Sequence, residues 1–117
     1  MQLNEIAKIL DAAFIFGQEM GNREISRAGA SDLMSDILAA NSDHTLLLTG
    51  LATEQVVRTA SIAGVAAVVL IRGKKPSREV ADLAKEEELP LLTTTLSMFV
   101  ASGRLFECGM HGLTNTR

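Results

Sequence analysis

Two repeated dipeptides and four arginines are the side chains here best suited to holding a ligand. Ser31-Asp32 and Ser35-Asp36 repeat four residues apart. On a helix that spacing sets both carboxylates on one face, one turn apart. Such a pair could hydrogen-bond a sugar hydroxyl or contribute to a divalent-cation site, although two carboxylates alone leave the site incomplete. A solvated face, or Asp32 assisting a helix N-terminus, is the plainer account of them. Of Arg23, Arg27, Arg72 and Arg104, the most suggestive is Arg72, which directly follows the apolar run AAVVLI. A guanidinium at a strand end can grip a phosphate or carboxylate through two parallel hydrogen bonds, or pair with an acid at a domain edge or dimer contact.

Patterns of covalent or metal chemistry give no further candidates. His44 and His111 fall in no HExxH or CxxC spacing, and no G-x-S-x-G elbow precedes a helix. Gly73-Lys74-Lys75-Pro76-Ser77 lacks the spacing of a phosphate-cradling P-loop, so kinase chemistry is not expected. Neither a catalytic residue nor a cofactor is expected. The lone Cys108 cannot form an internal disulfide and reads as a small hydrophobe near a helix end.

The elements that must position these residues follow from periodicity. Leu3, Ile6, Ile9 and Leu10 predict a helix over about 4–11, with Asn4 as its cap. AAFIF (12–16) reads as a buried strand, 17–24 as a loop with two glycines, and 25–30 as a second short strand. Ser31 is the expected cap of a helix whose apolar stripe is Leu33, Met34, Ile37 and Leu38. Asn41, Ser42 and Asp43 break it.

Three strand-helix units complete the chain. TLLLTG (45–50) leads to a helix over about 53–63, 66–73 to one over 77–88, and 89–95 to one over about 96–108. These strands are nearly continuous apolar runs, as in a parallel sheet covered by helices on both faces. The expected fold is therefore a small three-layer α/β domain over residues 1–110, followed by a flexible tail, 111–117, with Gly109 closing the last helix. In such sheets ligands bind beyond the carboxyl ends of the strands. That rule selects Thr49 and Gly50, Arg72 and Gly73, and Thr93 and Thr94, although Thr and Gly are also ordinary turn and capping residues there.

Composition narrows the class. The chain has 117 residues, 47% hydrophobic and 21% charged, which suits one folded domain and excludes a disordered regulator. Aromatics are only 3% and the formal net charge is −3, so base-stacking platforms and basic stripes are lacking and nucleic acid is not an expected partner. No apolar run approaches the ~18 residues of a membrane span, and the start has no basic segment leading into a long apolar one. A cytoplasmic location without a membrane partner is expected.

Three blocks, SDLMSDILA (31–39), AAVVLIRGKKPSREVADLAKEEELPLLTT (66–94) and LSMFVASGRLFECGM (96–110), occur here in one order. Together they resemble DRTGG domains, over nearly the whole chain. That resemblance implies a fold similar to the N-terminal domain of HPr kinase/phosphorylase, without the separate P-loop domain that carries the kinase activity. DRTGG domains also occur in phosphotransacetylases and between CBS domains in some pyrophosphatases, as accessory parts. The segment that names the family falls near Asn22–Ala30, where the Arg and one Gly are recognisable, whereas the Ser31-Asp32 and Ser35-Asp36 repeat matches well. The resemblance implies a non-enzymatic regulatory or ligand-sensing domain, a homodimer binding a small anionic metabolite or nucleotide, a protein partner, or both. A purely structural dimerisation module is the alternative, and an enzyme using Asp32 or Asp36 a more remote one.

Overall fold

Alternation within the apolar strands decides which helix lies on which side of the sheet. In the computed structural model, which describes residues 1–39 and 43–113, the elements are α1 (Leu3–Ile9), β1 (Ala13–Phe16), β2 (Arg27–Ala30), α2 (Met34–Ala39), β3 (Thr45–Thr49), α3 (Glu54–Ala63), β4 (Ala67–Leu70), α4 (Arg78–Glu86), β5 (Leu91–Thr93), α5 (Met98–Glu107) and β6 (His111–Gly112). One sheet joins the strands in the order β1-β5-β4-β3-β2-β6. β2 to β6 are mutually parallel where they pair, and β1 runs antiparallel to β5. This is the expected mostly parallel α/β sheet.

Leu47, Val68, Leu70 and Leu91 face one way, onto Ile37 of α2, Val56, Val57 and Ala60 of α3, and Val80, Leu83 and Ala84 of α4. Leu46, Leu48, Ala67, Val69 and Leu92 face the other way, onto Leu3 and Ile6 of α1 and Ala101 and Leu105 of α5. Side chains on a strand alternate between faces, so strands buried on both sides must be apolar at every position. The steps β2 to β3 to β4 to β5 move along the sheet in one direction, and crossovers of a single hand then put α2, α3 and α4 on one face. The return after β5 brings α5 to the opposite face.

Helix starts follow local chemistry. Thr53, Ser77 and Ser97 accept the backbone N–H groups of Val56, Val80 and Val100 at 3.2, 3.3 and 3.2 Å, which satisfies donors that the first helical turn leaves unpaired. Gly109, at φ 95, ends α5 in the left-handed conformation, with its N–H on the Phe106 carbonyl.

Several expectations need correction. Gln2, and not Asn4, caps α1, and its N–H donates to Glu5 Oε1 at 2.9 Å. The strand over 13–16 is a half-buried sheet edge, bulged between Phe14 and Phe16. α2 starts at Met34, three residues beyond Ser31, and of its predicted stripe Leu33 and Leu38 stay exposed while Ile37 is buried. The strand predicted over 66–73 ends at Leu70, with Arg72 and Gly73 in the turn that follows. His111 and Gly112, expected in a flexible tail, pair with Arg27 and Ala28 as β6. The predicted break at Asn41 and Ser42 and the tail beyond Leu113 lie outside the described residues. Cys108 is exposed and so does not serve as core.

Candidate functional site

Asp32 turns back over the end of β3 because the chain leaves β2 through a tight turn before α2 begins. Ser31 N–H still pairs with the Leu48 carbonyl, extending the β2–β3 ladder, while its hydroxyl accepts the Leu33 N–H at 3.0 Å. Asp32 Oδ1 then accepts two hydrogen bonds, from Thr49 Oγ1 and from the Gly50 N–H, each at 2.8 Å. The Thr49 hydroxyl is buried and also receives the Leu51 N–H at 3.3 Å. Arg72 reaches the same place from β4. A Cβ added to Gly50 would lie 2.8 Å from Arg72 Nη2 and 3.5 Å from Asp32 Oδ2, so glycine leaves room for the guanidinium and carboxylate to flank one backbone position.

Arg72 adopts φ 57, directly before Gly73 at φ 67. The left-handed residues Asp11 and Glu88 each follow a helix cap, an ordinary place for that conformation. Arg72 instead follows a strand, and a bulky side chain held there costs on the order of 1 kcal/mol. The exposed Arg72 guanidinium has no hydrogen-bond or ion-pair partner among the described residues.

The Gly50 N–H holds the Asp32 carboxyl below the usual carboxylate range, partial burial opposes this, and Thr49 and the charge of Arg72 reinforce it. A carboxylate whose folded pKa is depressed stabilises the fold above its unfolded value, near pH 4, and loses that stabilisation as pH falls through the folded value. Asp32→Asn, which keeps the shape and removes the charge, is therefore expected to melt below the parent near neutral pH. Thermal melts across the acid range check this: the difference should shrink below about pH 4. A gap independent of pH would show that the charge is not what matters.

The remaining predicted residues divide sharply. Ser35 and Asp36 are exposed on α2, and Ser31 Oγ lies 3.4 Å from Asp36 Oδ2. Asp32 and Asp36 therefore do not share a helix face, since α2 starts between them. β4 and β5 send their connections to opposite faces of the sheet, the arrangement that usually opens a binding crevice. Here backbone fills it: Gly73 N–H donates to the Thr94 carbonyl and Arg72 N–H to that of Leu96, both at 2.8 Å. Thr93 Oγ1 donates to the Lys74 carbonyl at 2.8 Å, and the buried Thr94 Oγ1 to the Leu10 carbonyl at 2.6 Å. Gly73, Thr93 and Thr94 thus fasten loops, and the exposed polar side chains gather one strand over, where Asp32 and Arg72 flank the buried Thr49 and Gly50.

Arg23 donates to the Ala66 carbonyl at 2.9 Å and Arg104 to that of Ile9 at 3.2 Å, both fastening backbone. Sequence reasoning missed two further features. A cavity of about 440 Å³ lies between the starts of β3, β4 and β5, where Ser61 donates to Glu87 at 2.6 Å. A second, of about 350 Å³, lies beside α5. Phe99, Gly103 and Phe106 at helical spacing were the available signal for the latter.

The described residues thus form a three-layer α/β domain with a cluster of one acid, one guanidinium, a threonine and a glycine at the carboxyl ends of its parallel strands. A family model for the DRTGG domain matches residues 5–108, and the chain belongs to that family. It is also similar to a crystal structure of the CBS and DRTGG domains of the regulatory region of a Clostridium perfringens pyrophosphatase, complexed with its activator diadenosine tetraphosphate. The TM-score is 0.70 at 19% identity, over 89% of this chain and 45% of that one. The likeness establishes the fold, and this chain spans less than half of that structure's length. No curated protein matches the chain. Among the described residues no helix is long and apolar enough to cross a membrane.

Proposed function

We propose that this chain is a non-enzymatic regulatory domain that senses a small anionic metabolite or nucleotide at the carboxyl ends of β2, β3 and β4. The observation that carries the reading is the Arg72 guanidinium held beside Gly50 and the clamped carboxylate of Asp32, at a strained backbone position. In this reading Arg72 binds a phosphate or carboxylate, and Asp32 Oδ2 accepts a hydroxyl, such as that of a ribose. Contact there bears on the turn that joins β2 to α2, so occupancy is felt at α2, through which a protein partner can be informed. The nucleotide activator of the pyrophosphatase region supports a nucleotide as the first candidate.

A carboxyl held ionised by Gly50, Thr49 and Arg72 has no proton to donate near neutral pH and is a weak base, which weighs against Asp32 as a general acid or base. The likeness to the N-terminal domain of HPr kinase/phosphorylase, a cytoplasmic location and a homodimer belong to the same reading. Isothermal titration and thermal shift against AMP, ADP, ATP, diadenosine tetraphosphate and acetyl phosphate test it. Saturable binding by at least one is expected, with stabilisation of about 2.7 kcal/mol at a ligand concentration 100 times Kd. Silence from all five overturns the ligand half.

A further inference from the structure

Helix α5 presents an apolar outer side that the described residues leave open. Phe99 is 88% exposed, Phe106 74% and Val100 40%, while Ala101 and Leu105 bury against the sheet. Phe99, Gly103 and Phe106 fall three and four residues apart and so share one side of the helix. Beside them the cavity of about 350 Å³ runs between α5 and the β2–β6 edge, walled by Gly29, Ala30, Gly103, Phe106 and Gly112. A Cβ placed on Gly103 would meet nothing within 4 Å, so the helix backbone is open to an incoming group.

We propose that this face is a twofold interface with a second copy of the chain, two α5 helices crossing antiparallel near Gly103. The proposal rests on the homodimer reading and is independent of the ligand reading, since Asp32 and Arg72 lie outside the groove. A twofold contact needs one surface that complements itself, and this one carries both protruding phenyl rings and a small-residue hollow. An antiparallel crossing centred on Gly103 sets Phe106 of each copy against Phe99 of the other, since the two lie on the same side of the helix three and four residues either way from Gly103, aromatic on aromatic. An aromatic side chain buries about 150–250 Å², so four rings at these exposures supply on the order of 600 Å². That is over a third of the roughly 1,600 Å² of a standard interface, before Val100, Ser102 and the groove walls are added. Strand addition is the weaker alternative on this side, because β6 has two residues and offers little ladder to extend.

Sedimentation equilibrium of the full chain at about 1–100 µM tests the proposal, with Phe99→Glu, Phe106→Glu and Gly103→Cys variants, the last in a Cys108→Ser background and oxidised with copper-phenanthroline. A wild-type dimer is expected, with its Kd raised about 100-fold by either glutamate. The Gly103→Cys chain should give a disulfide-linked dimer, and adding Phe106→Glu should abolish it. Both phenylalanines are exposed, so circular dichroism should show unchanged folding in either variant. A wild-type monomer at every concentration overturns this interface and the homodimer reading together, including when Phe106→Glu releases some other bound protein. A dimer indifferent to both glutamates and without the cross-link overturns this face alone.

Discussion

Arg72→Ala is expected to weaken binding of the anionic ligand by about 10- to 100-fold, the loss of one charge-assisted contact of about 1.5–3 kcal/mol. Its melting temperature should change little, because the side chain is exposed, makes no hydrogen bond among the described residues, and its attraction to the Asp32 carboxylate is screened by solvent. Alanine keeps the left-handed strain at φ 57, and glycine relieves it. Arg72→Gly should therefore lose binding while matching or exceeding the parent in stability, by up to about 1 kcal/mol. Lysine keeps the charge without the planar fork, so an intermediate affinity for Arg72→Lys would identify bidentate recognition. Titration calorimetry on the four proteins, with thermal melts alongside, separates these outcomes. Equal affinity in all four would remove Arg72 from the site.

The largest stability loss is expected from the sheet centre. Leu92 is 0% exposed on β5, flanked by β4 and β1, in the core cluster shared with α1 and α5. Leu92→Ala removes this packing and leaves a cavity that a sheet hydrogen-bonded on both sides cannot close easily, a cost of about 2–5 kcal/mol. Set against the 5–15 kcal/mol total typical of small domains, such a loss leaves little reserve and should lower melting by roughly 10–20 °C. Ile62, on α3 and 79% exposed, is the matched control, since its replacement by alanine should stay within about 0.5 kcal/mol. Urea unfolding of both variants checks the contrast. Comparable losses would mean that the solvent-facing side of α3 carries packing not apparent in the monomer.

Binding and stability are thus expected to separate at Arg72 and to stay apart from Leu92, because the site lies in turns beyond the strands. Arg72 can change without opening the core. Thr94 cannot be treated the same way: its hydroxyl is buried on the Leu10 carbonyl and ties β5 to the end of α1.

Much of the fold was legible in local pattern. TLLLT, AVVL and LLT are apolar at nearly every position, and that alone calls for helices on both faces of a parallel sheet. Thr53, Ser77 and Gly109 marked helix ends through hydrogen bonds and backbone angles that reach no further than three residues along the chain. Strand order was not legible, because it depends on which distant runs pair. Without it β1 reads as buried, although it is an edge, and His111-Gly112 as a tail, although they pair with β2.

The candidate site shows the same division. The Ser-Asp repeat and strand-end position selected Asp32, Thr49, Gly50 and Arg72, and equally Ser31, Ser35, Asp36, Gly73, Thr93 and Thr94. Choosing between them needed distances between residues 17 or more apart in sequence: Asp32 on Thr49 and Gly50, Thr93 on Lys74, Thr94 on Leu10. The sequence by itself determined the kinds of element and the end of the sheet where polar chemistry gathers, since periodicity and capping are short-range. Only the tertiary structure decided which polar groups are consumed in fastening loops and which face outward, because a hydrogen bond across strands follows spatial neighbourhood and not chain position.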